Sequence, residues 1–195
     1  MKKFAAILVA GVAFAGLATP ASAAAVSGAR VEALVGWDRA SVDFDAFGLD
    51  DDVNSDGIVF GIGAGYDFAI GQSASIGIDV EATESSADLE LVDGADSAEI
   101  SVGRDLYAGG RVTFAVSPRT NIYLKAGYTN ARISARVTDS GVTERDSANG
   151  DGIRGGIGAQ FALGGNAYVG GEYRYSNYEA DFSRHQAVAT LGFRF

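Results

Sequence analysis

Residues 58–68 read IVFGIGAGYDF, the clearest alternating segment of the chain. Every second residue from Ile58 to Phe68 is apolar, whereas three glycines and Asp67 fill the alternate positions from residue 61 onward. A repeat of two residues is typical of a β-strand with one apolar face and one polar or small-residue face. The stretch also has the ~9–11 residues that a tilted strand needs to cross a bilayer.

The same alternation recurs along the chain in eight segments. They lie near residues 29–37, 58–68, 76–82, 106–114, 122–128, 153–161, 169–175 and 187–195. The connections alternate between short ones, near 69–73, 117–120 and 164–166, and long acidic ones, near 39–56, 84–99, 136–152 and 177–185. Outer-membrane barrels show short periplasmic turns and longer external loops. We therefore predict an all-β fold, an eight-stranded antiparallel up-and-down transmembrane β-barrel with both chain ends in the periplasm.

The N-terminus has the three parts of a secretory signal peptide. Lys2 and Lys3 precede an apolar run that ends at Leu17, and the small-residue sequence 21–23, ASA, follows. That order predicts export with cleavage after Ala23. We expect residues 1–23 to be the signal peptide and residues 24–195 to be the barrel in the outer membrane of a Gram-negative cell.

Composition excludes several classes of protein. The chain has no cysteine, so it has neither disulfides nor a thiolate-ligated metal site. Its formal net charge of −10 is opposite to what nucleic-acid binding requires. After Leu17 no apolar run approaches the ~20 residues of a spanning helix, so a membrane-spanning mature chain must be a closed barrel.

Glycine indicates which face of the strands points into lipid. Many glycines occupy the same alternate positions as the polar residues, which we call the polar parity. Among them are Gly61, Gly63, Gly65, Gly109 and Gly127. On a water-exposed outer face they would weaken strands without benefit, whereas small residues inside a narrow eight-stranded barrel make room for a few large side chains. The apolar face is therefore predicted to contact outer-membrane lipids, and the polar parity to fill the interior.

Charged residues of both signs lie on the polar parity, in nearly equal numbers. Because buried ions must be paired, we predict an interior closed by a charge network. Its predicted members are Arg30, Glu32, Asp67, Asp79, Glu81, Asp105, Arg111, Lys125, Arg154, Glu172 and Arg174. Asp38 and Arg194 lie near strand ends and are expected to point into water at the rim.

The last strand carries a recognisable pattern. Residues 170–176, GGEYRYS, and the ending 189–195, ATLGFRF, resemble the C-terminal hairpin of the opacity-type, outer-membrane-protein-A-like small porin family. In that family a terminal phenylalanine and alternating apolar residues upstream are the signal read by the barrel-assembly machinery. The resemblance implies this role for Leu191, Phe193 and Phe195. It also implies an outer-membrane barrel, which we expect to be a monomer.

The sequence contains no clear pattern for a catalytic or a metal site. His185 is the only histidine, and Ser176, Ser183, Glu179 and Asp181 lie near it in sequence, but nothing in the pattern indicates the geometry of a triad. Residues 50–57, DDDVNSDG, lack the closing glutamate of a calcium loop. We therefore predict no catalytic residue, no metal site and no cofactor, and a protein that is not an enzyme.

Two functions from different classes remain. The first is a structural or surface-interaction protein, in which a charge-filled barrel carries acidic external loops. The second is a narrow passive porin for ions or small solutes. The number of strands and the balanced interior charges favour the first.

Overall fold

The computed structural model describes residues 23–42, 53–93, 96–139, 142–179 and 182–195. Among these residues, no helix is long and apolar enough to cross a membrane. Apart from Ala23, the predicted signal peptide lies outside the described residues, as do residues 50–52 of the acidic segment 50–57.

Nine strands are present in the described part of the chain. They are β1 (Gly28–Val42), β2 (Val53–Ala69), β3 (Ala74–Ser85), β4 (Asp88–Asp93), β5 (Asp96–Ser117), β6 (Thr120–Asp139), β7 (Val142–Gly164), β8 (Ala167–Tyr178) and β9 (Phe182–Arg194). Each strand pairs antiparallel with its neighbour in the sheet, and the order runs β3-β2-β1-β9-β8-β7-β6-β5-β4.

Eight of the nine strands close into a barrel. The chain ends meet where β1 pairs with β9, from Arg30 opposite Arg194 to Val42 opposite Phe182. The ring closes where β3 pairs with β5, from Ala74 opposite Phe114 onward. Closure leaves no free edge within the membrane, where unpaired backbone groups would be costly. The predicted eight-stranded antiparallel barrel is confirmed.

The prediction that residues 84–99 and 136–152 are long loops was wrong, because strands occupy most of both segments. β4 pairs with the start of β5, from Asp88 opposite Ser101 to Asp93 opposite Asp96, and β6 and β7 stay paired as far as Asp139 opposite Val142. The many charges of segment 84–99 suggested a loop, but charged residues are normal on edge strands that water solvates.

These extended strands form a sheet beyond the barrel, which we call the projecting sheet. It consists of β4 and of residues 96–104 of β5, 130–139 of β6 and 142–151 of β7. β7 begins to pair with β8 only at Gly152, opposite Tyr178, so its first ten residues pair with β6 alone. At ~3.4 Å per residue, this part of β7 runs about 30 Å along the strand.

The large apolar side chains point outward, as the alternation predicted. Ile62 is 68% exposed, Ile78 63% and Leu191 58%, and all three belong to the parity that the sequence assigned to lipid. A soluble barrel would bury these residues, whereas the outer face of a membrane barrel must be apolar.

Interior glycines lie beside interior tyrosines. A Cβ at Gly158 would collide with the ring of Tyr123 on β6, and one at Gly192 would collide with the ring of Tyr168 on β8. Each glycine therefore leaves the space that an aromatic ring fills, which allows large side chains to fit inside a narrow barrel.

The charge-filled barrel interior

The barrel interior holds ionic side chains of both signs in equal number. Among the described residues the cations are Arg30, Arg111, Lys125, Arg154, Arg174, Arg184 and Arg194, and the carboxylates are Glu32, Asp38, Asp67, Asp79, Glu81, Asp105 and Glu172. All except Arg194 are buried. We call this set the interior network.

At the end with the short turns, the network is centred on Arg30. Its Nη1 lies 2.7 Å from Oδ1 of Asp67, and its Nη2 contacts Asp79. Arg111 donates from Nε to the other Asp79 oxygen at 2.8 Å. The two positive charges of Arg30 and Arg111 are therefore balanced by the two carboxylates of Asp67 and Asp79. These four residues lie on β1, β5, β2 and β3, respectively.

Glu32 lies beside this group and is bound mainly by neutral donors. Tyr168 donates its hydroxyl to Glu32 Oε1 at 2.8 Å, and Gln160 donates its amide at 3.2 Å. The nearest guanidinium nitrogen of Arg111 is 3.7 Å from the same oxygen. A buried carboxylate can be held by hydrogen bonds in place of a tight ion pair.

In the middle of the barrel, Lys125 bridges two glutamates. Its Nζ contacts Glu81 and lies 2.8 Å from Oε1 of Glu172. Arg174 Nη1 lies 2.7 Å from Oε2 of Glu81, and the Tyr123 hydroxyl donates to Glu172 at 2.8 Å. These contacts join β3, β6 and β8 directly through the interior, although the three strands are not neighbours in the sheet.

At the end with the long hairpins, Asp105 is the centre. It contacts Arg154, accepts from Arg184 Nη1 at 2.8 Å, and accepts hydroxyl hydrogen bonds from Thr129 at 2.6 Å and Tyr178 at 2.8 Å. Four donors from β6, β7, β8 and β9 therefore meet on one carboxylate of β5. Charge-assisted hydrogen bonds of this kind are the strong ones.

An apolar layer lies above this last group. Ala40, Ala131, Tyr178 and Phe182 are buried together, and the rings of Tyr178 and Phe182 are 5.2 Å apart. These residues face inward on β1, β6, β8 and β9. The layer keeps water at the long-hairpin end away from the ion pairs below it.

The structure places all eleven side chains of the predicted network in the interior, but it corrects two details. Asp38 was expected in rim water, yet it is 0% exposed and bound by Arg184 and Ser85. Arg194 keeps 16% of its side chain exposed but pairs with Asp67. Near the long-hairpin end the barrel continues past the predicted rim, so Asp38 remains inside it.

The sequence analysis missed Arg184 as a member of the interior network. Arg184 was assigned to the connection 177–185, but it continues the inward parity of Gln186, Val188 and Thr190 on β9. Extending that alternation by one step would have found it. The alternation placed Tyr107 and Tyr123 with the polar residues, and the structure buries both, together with Tyr168 and Tyr178.

Outside the barrel at the long-hairpin end, Arg39 and Asp56 form an exposed pair. Arg39 donates to both Asp56 oxygens, at 2.8 and 2.9 Å, and its guanidinium lies 5.0 Å from the Trp37 ring centre. The hydrogen bonds from Arg39 hold the pKa of Asp56 below its usual value. This pair is solvated, unlike the interior network.

His185 and Ser176 lie on opposite faces of the barrel wall and do not form a catalytic pair. His185 points outward, and its Nδ1 lies 2.7 Å from the Tyr173 hydroxyl. Ser176 is buried on the opposite side of the barrel wall, where its hydroxyl accepts from Arg154 Nε at 2.8 Å. Asp181 lies outside the described residues. Within the part of the chain that the structure describes, no group of three or more His, Asp or Glu side chains is arranged to hold a metal ion.

The C-terminal residues of the implied assembly signal lie on the lipid face. Leu191, Phe193 and Phe195 are exposed, and the rings of Phe193 and Phe195 pack edge to face with centres 5.1 Å apart. The backbone amide of Phe195 donates to the Ala29 carbonyl at 2.8 Å. The terminal residue is therefore tied to the first strand.

Two solved structures show the same fold at low sequence identity. The surface protein NspA of Neisseria is 18% identical, with a TM-score of 0.59 over 87% of this chain and 98% of that one. The attachment invasion locus protein Ail of Yersinia pestis is 15% identical, with a TM-score of 0.54 over 87% and 100%. A second Ail structure, in complex with the heparin analogue sucrose octasulfate, is 14% identical, with a TM-score of 0.52 over 86% and 99%.

No curated protein sequence matches this chain significantly. The sequence profile described as "Outer membrane protein beta-barrel domain" matches residues 6–195, which is nearly the whole chain. Together with the closed barrel, its apolar outer face and its charge-filled interior, this match confirms the predicted location, and the chain belongs to the outer membrane protein β-barrel domain family.

Proposed function

We propose that this protein is a closed, non-enzymatic barrel that holds the projecting sheet at the cell surface for interaction with another macromolecule. The observation that carries the proposal is the length of β5, β6 and β7, which continue well beyond the part of the barrel that is paired all round. Transport would not require these extensions, whereas a binding surface outside the membrane would.

The interior network supports the closed-barrel part of the proposal. An eight-stranded barrel leaves an interior just wide enough for side chains, and here ion pairs cross it at three levels. Separating a buried pair is costly, so the interior does not open through small side-chain movements.

The edges of the projecting sheet support an interaction role. In the described residues, β4 pairs with β5 alone, and residues 142–151 of β7 pair with β6 alone. An unpaired edge presents backbone N–H and C=O groups to which another extended segment can add.

The charge of the long connections narrows the class of partner. The connections near 39–56 and 84–99 are rich in Asp and Glu, so a partner with basic or neutral surfaces fits better than a polyanion. The heparin analogue bound by Ail is a polyanion. We therefore do not extend that ligand class to this chain.

The narrow pore is the alternative, and one observation favours it. Several buried donor atoms lack a protein partner, among them Arg111 Nη1, Arg154 Nη1, Arg174 Nη2 and Gln186 Nε2. Buried polar atoms of this kind are usually satisfied by internal water. Isolated waters between ion pairs fit a closed barrel, whereas a continuous file of water would conduct.

Conductance in planar bilayers separates the two functions. The closed barrel is expected to show near-zero conductance, because three levels of buried ion pairs would interrupt a file of water. Steady single-channel currents from the wild-type protein would overturn the closed barrel and favour the pore.

A truncation tests the interaction surface. Arg132 and Asn149 lie opposite each other on β6 and β7, so an Asn-Gly turn can join them in place of residues 133–148. Cells that display this variant at the wild-type level are expected to lose the adhesion to cultured cells and matrix proteins that the full-length protein provides. Equal adhesion by both would contradict a role for the projecting sheet.

We propose further that the protein is inserted as a monomer by the barrel-assembly machinery, with Leu191, Phe193 and Phe195 as its recognition signal. The recognition signal is supported by the position of these three residues at the end of the last strand and by the outward direction of their side chains. An inserting strand presents such a row of apolar side chains to an assembly factor.

A further inference from the structure

Two arginines at the long-hairpin end differ from the others in lacking an anionic partner. Among the described side chains, most arginines pair with a carboxylate; these are Arg30, Arg39, Arg111, Arg154, Arg174, Arg184 and Arg194. Among the side chains that the structure describes, which do not include those of residues 88–100, 102, 133 and 135–145, no carboxylate oxygen lies within 4.0 Å of Arg104 or Arg132. Arg119, in the turn at the opposite end, is likewise without one.

A β-bulge brings the two arginines together on the outer face. The register between β5 and β6 shifts between Val102 and Asp105, so two residues of β5 lie opposite Arg132. Arg104 donates from Nη2 to Asn130 Oδ1 at 3.3 Å, whereas its Nε is buried without a partner. Bulges commonly redirect a side chain in this way.

One described carboxylate, that of Glu84, lies at the edge of this group, and the other neighbours are neutral or already engaged. Glu84 Oε2 is 3.9 Å from the position that a Cβ on Gly103 would take, and it forms no ion pair within 4.0 Å with either arginine. Arg132 donates to the hydroxyl of Ser147 at 3.0 Å, which is a neutral contact. The carboxylate of Asp151 accepts from Tyr128 at 2.5 Å and from Asn130 at 2.6 Å. Asp151 is therefore engaged by neutral donors and does not pair with either arginine.

Arg104 and Arg132 form a basic patch at the height of the lipid headgroups. Tyr128 points outward, is 51% exposed and belongs to the aromatic belt that marks the edge of the hydrocarbon. Asn130 and Arg132 follow it on the same face, about 7 and 14 Å farther along the strand. The polar region of each leaflet is ~5–8 Å deep, so two long arginine side chains on a tilted strand reach it.

We propose that Arg104 and Arg132 bind the phosphate group of an anionic lipid in the outer leaflet. Guanidinium groups form paired hydrogen bonds with phosphate oxygens, and an anion would satisfy the buried Nε of Arg104. Because the rest of this end of the protein is acidic and repels anionic lipids, this patch selects the side of the barrel on which such a lipid is held.

Arg39 provides a matched site on the other side of the barrel. β1 and β6 are separated by three strands in either direction around the ring, and Arg39 also lies just above an aromatic residue, Trp37. Its charge, however, is compensated by Asp56. The lipid preference measured at Trp37 therefore serves as the reference for ordinary contact between lipid and barrel.

Tryptophan quenching compares the two sides. The native protein has one tryptophan, Trp37, which reports on one side of the barrel. The variant Trp37→Phe with Ile153→Trp moves the single tryptophan to the other side, because Ile153 is exposed and lies opposite Tyr128. Each protein is placed in phosphatidylcholine vesicles that contain brominated phosphatidic acid or brominated phosphatidylcholine. The preference is the affinity for phosphatidic acid relative to phosphatidylcholine, measured by quenching. We expect it to be at least about fivefold greater at residue 153 than at residue 37, because each arginine near an anionic lipid contributes ~1 kcal/mol.

Substitutions then assign the preference to the arginines. Arg104→Gln with Arg132→Gln, in the residue-153 reporter, is expected to reduce the preference to that seen at Trp37. Arg119→Gln removes one arginine charge at the other end of the barrel and should leave the preference unchanged. Equal preference at both reporters would overturn the proposal without requiring any arginine variant to fold, and an unchanged preference in the double variant would also overturn it.

Salt identifies the source of the phosphate. Sodium phosphate and sodium chloride at equal ionic strength should weaken the lipid preference equally, because both act only by screening. Selective displacement by inorganic phosphate would indicate a site for soluble phosphate and would overturn the lipid assignment.

Discussion

Asp105→Asn is the sharpest test of the interior network. The substitution keeps the size of the side chain and removes one negative charge from a carboxylate that Arg154, Arg184, Thr129 and Tyr178 all contact. Arg184 keeps Asp38, but the nearest remaining carboxylate contact of Arg154 is Glu81 at 3.8 Å. One buried guanidinium is thus left without close compensation.

The expected loss in the free energy of unfolding is about 3–5 kcal/mol, the range measured when one partner of a buried ion pair is removed. Urea titration of the protein in lipid vesicles, followed by the fluorescence of Trp37, measures it. Arg154→Gln in the same chain restores the balance of charge, so the double variant should be more stable than the sum of the two single losses predicts.

Asp56→Asn is the matched control, because it removes the same charge from the exposed pair with Arg39. Solvent screens that pair, so its loss should have little effect on the urea midpoint. If Asp105→Asn lowered stability no more than Asp56→Asn does, the interior charges would have to be solvated, and the closed interior would be refuted.

Three further predictions address closure, assembly and packing. The unboiled protein should migrate differently from the boiled one in SDS gels, because a closed barrel has no free edge; identical migration would count against closure. Deletion of Phe195 should sharply lower the amount of protein in outer-membrane fractions, whereas the loss of one apolar side chain costs at most ~1.5–3 kcal/mol of stability; normal levels would contradict the assembly signal. Gly158→Ala should destabilise by ~1–3 kcal/mol through overpacking against Tyr123, whereas Gly155→Ala, which meets nothing within 4 Å, should not; equal urea midpoints would show that the Tyr123 ring moves at no cost.

Local pattern was enough to predict the barrel and the direction of its side chains. Ile62 and Gly61 differ in parity, and because the side-chain period of a strand is two, that difference assigns one to lipid and the other to the interior. Strand ends were less predictable. The charges of β4 and of residues 136–152 suggested loops, since alternation is weak where both faces of a strand are solvated.

The partners inside the barrel could not be predicted in the same way. Lys125 bonds Glu81, which lies 44 residues earlier in the chain, and Glu172, which lies well after it. Neither glutamate is on a strand that neighbours the strand of Lys125. Which cation meets which carboxylate depends on strand tilt and stagger across the interior. Alternation along one strand contains neither quantity.

The class of protein, its place in the outer membrane and the residues that face lipid could thus be predicted from sequence, because each depends on a repeat within single strands. The pairings on Asp105, the burial of Asp38 with Arg184, and the contact of Arg104 with Asn130 across a bulge became visible only in the folded barrel. Those contacts arise from distances between strands after the barrel has closed, and closure is a property of the whole sheet.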